Sequence, residues 1–218
     1  MSSAVPAAAS RTFEVRHLQL ARALFAALAA VMITFSPDHS ATVGLSVFSG
    51  FAIAAAIVEL VAAWLVYASG ARAAVVLLGV TTLLAGMGSG IPALRSTTLF
   101  FVVVIAWAFL SGIIELVTGI RGRRSGDPAA RDAVLIGSIT IALGVGLLLV
   151  NPAYSLEYFI KEAGQSFTLT GITIGVGIFG GYAAIIAVFL GIAGFSPRRV
   201  EAASTPSAPG VEAPEGTP

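Results

Sequence analysis

The stretch Ala56-Ile57-Val58-Glu59-Leu60-Val61 returns as Gly112-Ile113-Ile114-Glu115-Leu116-Val117. A third version stands at Ala184-Ile185-Ile186-Ala187-Val188-Phe189, with alanine in place of the acid. Each of the first two copies sets one carboxylate deep in an apolar run. Such runs are the rule in this chain: 57% of its residues are hydrophobic and only 11% charged, against roughly a quarter charged in ordinary soluble domains. Lipid is therefore the expected surrounding. The length suits about six helices of ~20 residues.

The apolar segments run approximately 18–35, 43–67, 73–94, 98–120, 132–151 and 168–195. A spanning segment must satisfy its own backbone hydrogen bonds, so each is expected to be a helix. Arg11, Arg16 and Arg22 ahead of the first segment imitate a secretory signal. That run, however, continues to Phe35 without a small-x-small cleavage site. Residues 1–16 read as a cytoplasmic N-terminal segment, 17–195 as a six-helix transmembrane domain, and 196–218 as a disordered cytoplasmic tail. Ten arginines fall on the N-terminus, the second and fourth loops and the C-terminus; the other loops hold only Arg95 and Lys161. The positive-inside rule then places both termini in the cytoplasm.

Taken as helix pairs (18–67, 73–120 and 132–195), the chain repeats three times. Each pair begins with an arginine (Arg22, Arg72, Arg131), turns just after a proline (Pro37, Pro92, Pro152), and returns through the glutamate-type segment. Helical steps from Glu59 meet Ala55 and Ala56, those from Glu115 meet Ser111 and Gly112, and those from Ala187 meet Ala183 and Ala184. Small residues on one face of a lipid-embedded helix mark close backbone approach, so both acids are expected to face protein. The fold expected is all-α, an integral membrane six-helix bundle of three antiparallel helix pairs.

The threefold helix-pair repeat, its arginines and prolines, and the segment Trp107-Ala-Phe-Leu-Ser-Gly-Ile-Ile-Glu115 resemble the HdeD family of short-repeat bacterial membrane proteins. The resemblance covers roughly residues 17–195. It implies a six-helix protein of the bacterial inner membrane, linked to acid or envelope stress, with no established catalytic residues. Ala187 and the long fifth loop depart from an even repeat.

An ionisable residue inside a spanning helix is costly to insert and usually has a role. Glu59 and Glu115 with Arg22, Arg72 and Arg131 read either as an Arg–Glu clamp that fixes hairpin register or as a proton-titrating set. For Glu115, six positions before Arg121, snorkelling is a third reading. A small proton-coupled transporter or channel using both acids is the alternative function, though too few polar positions stand ready to line an aqueous path. Gly175-Val-Gly177-Ile-Phe-Gly180 spells a dinucleotide fingerprint, but inside a membrane helix it reads as a packing face, as do Gly171/Gly175, Gly177/Gly181 and Gly137/Gly144.

Asp38 and His39 in the first outer turn are candidates for sensing external pH. Tyr154 and Tyr158 belong to an aromatic stretch, 154–167, expected as an amphipathic helix in the outer headgroup layer and as a lid or partner contact. With no cysteine and no nucleophile–base set, no enzyme, metal or cofactor is expected. The expected partner is the lipid bilayer, with a homo-oligomer or a second membrane protein left open; nothing points to nucleic acid.

Overall fold

The computed structural model describes residues 14–67, 69–70, 72–127, 129–161 and 164–196. The expectations for residues 1–13 and 197–218, including Arg11, Arg198 and Arg199, lie outside the described residues. Six helices follow one another: α1 (Val15–Thr34), α2 (Ala41–Leu65), α3 (Arg72–Gly90), α4 (Thr97–Arg124), α5 (Ala130–Leu148) and α6 (Gly171–Phe195). All six are long and apolar enough to cross a bilayer, and the chain is a multi-pass membrane protein. Ser40, Ser96 and Thr170 start the even helices, each accepting from a backbone N–H three residues on. Pro92 opens a short 3-10 turn, Pro92–Leu94, between α3 and α4.

The repeat is written in the burial. Ala23, Ala26, Ala30 and Ile33 of α1 are buried with the same spacing as Gly79, Thr82, Gly86 and Ser89 of α3, and as Gly137, Thr140, Gly144 and Leu147 of α5. The even helices show their own common stripe. It runs Phe48, Phe51, Ala52 and Ala55 in α2, Val104, Trp107, Ala108 and Ser111 in α4, and Val176, Phe179, Gly180 and Ala183 in α6.

Consecutive helices are neighbours, yet the closest packing falls between repeats: α2 on α3, α4 on α5, and α6 back on α1. The six helices thus close into a ring, inside which α2 touches α4 and α6. Small residues make the tight joints. A Cβ on Gly137 would stand 2.6 Å from the Leu116 amide nitrogen, and one on Gly119 would stand 2.7 Å from that of Val134. Large side chains such as Leu24, Met32, Leu84, Val102 and Val188 are exposed instead, as a lipid-facing surface requires.

One expected element is corrected. The stretch after Pro152 forms an antiparallel hairpin, β1 (Ser155–Ile160) with β2 (Gln165–Thr170), in place of a helix. Its register sets Leu156 opposite Leu169 and Tyr158 opposite Phe167, while Glu157 faces Thr168 and Phe159 faces Ser166. Apart from Phe159, polarity thus alternates with the two-residue period of a strand, and the aromatic and β-branched side chains suit one. Gly164, at φ +61°, supplies the left-handed residue beside the turn.

Candidate functional site

Just toward the α1 N-terminus from the buried stripe stands Arg22, where the matching positions of α3 and α5 carry Leu78 and Ile136. Four residues beyond the stripe of the even helices stand Glu59, Glu115 and Ala187. These two levels meet. Arg22 Nη2 donates to Glu115 Oε1 at 2.7 Å, and Arg22 Nε lies 3.3 Å from Glu59 Oε1. Only 3% and 8% of the two glutamate side chains is exposed, so one guanidinium holds two carboxylates inside the bundle. Charge-assisted pairs of this kind tie α1, α2 and α4 together at one depth.

Both acids therefore face protein, and Glu115 does not snorkel. The five-member charged set is corrected. Arg72 opens α3, donates its Nε to the Tyr67 carbonyl, and lies over the Trp64 ring at 5.1 Å. Arg131, second in α5, is exposed. Helix starts therefore align Arg72 and Arg131 with Arg16, while Arg22 lies well inside α1. A cation about two turns into a span reaches carboxylates that a cation at its mouth does not.

A cavity of about 160 Å³ lies beside the cluster, at the end of the bundle where α1, α3 and α5 begin. Its charged and titratable lining comprises Arg22 of α1, Glu59 of α2, Tyr67 after it, Glu115 of α4, Asp127 in the following loop and Asp132 of α5. From α3 it takes only Ala74, Val75 and Leu78. Gln19 Nε2 donates to Asp132 Oδ2 at 2.8 Å across the gap. Two buried acceptors on this lining, Glu59 Oε2 and Gln19 Oε1, have no hydrogen-bond partner among the described residues. Buried polar atoms are ordinarily paired, so such an orphan points to something it can bind.

A smaller void of about 20 Å³, room for a single water, lies on the inner side among Arg22, Glu59, Glu115, Thr82, Thr140 and Tyr182. Here Trp107 Nε1 donates to Thr82 Oγ1 at 3.2 Å, and the Thr140 and Tyr182 hydroxyls lie 3.0 Å apart. Beyond it the axis is filled by aromatic rings. Phe51 meets Trp107 and Phe179 edge-on at 5.9 Å, and Phe48 meets the same two at 5.2 and 5.5 Å. The polar site thus ends against a packed apolar layer.

The remaining candidates are placed as follows. Ala55, Ala56, Ser111, Gly112 and Ala183 are buried in the helix contacts, whereas Ala184 is exposed. In the glycine run, Gly175 packs on Phe101 and Gly180 on Ile33; Gly177 and Gly181 meet nothing, so those two are not packing positions. Alternate residues of a helix cannot all share one face. Asp38 is used in its turn, accepting from the Ser40 amide and hydroxyl at 2.8 Å, and His39 beside it is half-buried. His17 lies at the other end of α1, where its Nδ1 accepts from the Glu14 amide. Tyr154 and Tyr158 are exposed, Tyr158 stacking on Phe167.

Sequence reasoning missed Gln19, Asp132, Thr82, Thr140 and Tyr182. Four of them carry a signal, since a polar side chain in a spanning segment needs a partner; Asp132, in the first turn of α5, sits where an acid is ordinary and so gives none. No group of three or more His, Cys, Asp and Glu suited to a metal occurs among the described residues. Comparison with family models, with curated proteins and with solved structures finds no match.

Proposed function

We propose that this chain is a non-enzymatic bacterial inner-membrane protein of the HdeD type, acting in acid or envelope stress. Its proton-responsive part is the Arg22–Glu59–Glu115 cluster. The observation that carries this reading is the charge count: two nearly buried carboxylates share one guanidinium. An uncompensated charge is expensive in a water-poor interior, and a single proton on either glutamate restores neutrality. The resemblance of residues 17–195 to that family supplies the stress context. By the arginine distribution the cavity opens to the cytoplasm, so cytoplasmic acidification is the stimulus.

The aromatic layer beyond the cluster favours a site that takes up and returns protons on one side over one that conducts them. The test uses the purified chain in proteoliposomes with a pH-indicator dye. Acidification should load one proton per chain, and Glu59→Gln should abolish that uptake. Uptake unchanged by Glu59→Gln and by Glu115→Gln would remove the cluster from the mechanism. A sustained glutamate-dependent proton current under a pH gradient would replace this reading with a proton-coupled transporter or channel.

A further inference from the structure

We propose that the cavity beside Arg22 is a binding site for a small organic cation, a primary ammonium carried on an apolar group of about benzene size. The inference goes beyond the proton-responsive reading, although Arg22, Glu59 and Glu115 belong to both.

Charge comes first. The lining sets four carboxylates, Glu59, Glu115, Asp127 and Asp132, against the one guanidinium of Arg22. Anions are excluded and a cation is favoured. Geometry then narrows the cation. The acids do not converge as metal ligands do, since no three of them form a metal-holding group among the described residues. Two side chains of this lining, Glu59 and Gln19, each keep one buried acceptor, Oε2 and Oε1, without a partner. Glu59 is 2% exposed and Gln19 5%. Two separated acceptors suit N–H donors, which an ammonium carries three at a time.

Size and polarity fix the rest. An apolar cavity of about 150 Å³ holds a benzene-sized ligand, and this one measures about 160 Å³. Leu18, Val75, Leu78, Ala133 and Ile136 give the cavity apolar walls besides these polar groups. A hydrated inorganic ion would leave those walls against water. An ammonium with an apolar body covers them and brings N–H donors to the side chains that hold the orphaned oxygens, the pattern of small-molecule sites in general.

Benzylammonium is the probe, titrated calorimetrically into the full chain in detergent, with benzyl alcohol as its uncharged counterpart. Saturable one-to-one binding is expected, at least tenfold tighter than the alcohol. Glu59→Gln should weaken it tenfold or more. Ala133→Phe, which fills the void and leaves the charges in place, should abolish it. Equal binding of the alcohol, or binding indifferent to both substitutions, overturns the proposal. Nanodiscs identify the source of the ammonium. Weaker binding in phosphatidylethanolamine than in phosphatidylglycerol assigns the site to a lipid headgroup, and equal binding assigns it to a free amine. Proton uptake without benzylammonium binding overturns the ligand and leaves the proton reading standing; binding without proton uptake does the reverse.

Discussion

Arg22 of α1 and Leu78 of α3 occupy matching positions in two copies of one repeat, each just ahead of a buried stripe of identical spacing. The third copy has Ile136 there. A charged residue has thus been set into a framework that is apolar at the same point twice over. Where α2 and α4 carry glutamate, α6 likewise carries Ala187. The charges break the threefold pattern together, which suggests separate tests of each charge and of the set.

Removing the arginine alone strands two buried carboxylates, so Arg22→Leu should destabilise by about 3–5 kcal/mol. Thermal unfolding in detergent checks this. The combined variant Arg22→Leu, Glu59→Ala, Glu115→Ala gives every repeat the apolar chemistry of the third. It should be as stable as the wild type or more so, because an apolar replacement of a whole buried ion group is often neutral or favourable. It should also lose proton uptake. A triple variant as unstable as Arg22→Leu would mean that the charges are needed for the bundle to hold.

The joint between α4 and α5 should respond sharply to added volume. Gly137→Ala puts a methyl group 2.6 Å from the Leu116 amide nitrogen, and backbone cannot yield as a side-chain tip does. A loss of about 1–3 kcal/mol is expected from overpacking. Gly177→Ala is the control: nothing lies within 4 Å of its added carbon. It should be neutral or slightly stabilising, alanine being the better helix former. Equal effects in a melting experiment would contradict the packing described.

Thr82→Val keeps the shape of the side chain and deletes the acceptor for the Trp107 indole N–H. Leaving that donor unsatisfied should cost about 1–3 kcal/mol. Trp107 is 5% exposed while Trp64 is 67% exposed, so fluorescence in a Trp64→Phe background reports on Trp107 alone. A changed emission maximum on Thr82→Val is the expected sign.

Orientation is open to direct chemistry because the chain has no cysteine. Ser125 and Ser166 are both exposed, at opposite ends of the bundle. In intact spheroplasts an impermeant maleimide should label Ser166→Cys at once and Ser125→Cys only after permeabilisation. The reverse order would turn the cavity to the outer side.

Much of this architecture was readable before any coordinates. Six apolar runs set the spans, because lipid leaves a backbone few ways to satisfy itself. The return of Ile-Ile-Glu-Leu-Val with its small flanking residues located two inward acids, since side chains at helical spacing keep one face. The partner was harder to find. Arg22, Arg72 and Arg131 look alike in the sequence, and depth within the span separates them. Depth depends on where each helix starts, and α1 begins seven residues before Arg22. The aromatic stretch after Pro152 failed differently. Leu156, Tyr158 and Ile160 alternate as a strand does, but alternation over so short a run competes with a helical reading until Phe167 and Leu169 are seen to face it.

The contact between α6 and α1 joins the sixth span to the first. Until α6 has been made, α1 lacks the neighbour whose Gly180 and Gly194 pack on Ile33 and Leu20. Its arginine likewise waits for Glu115, 93 positions downstream. Nascent α1 therefore carries an unmatched cation until Glu59 of α2 is made and a singly matched one until Glu115 follows, and for the first interval it needs a polar shelter, in the insertion machinery or at the headgroups.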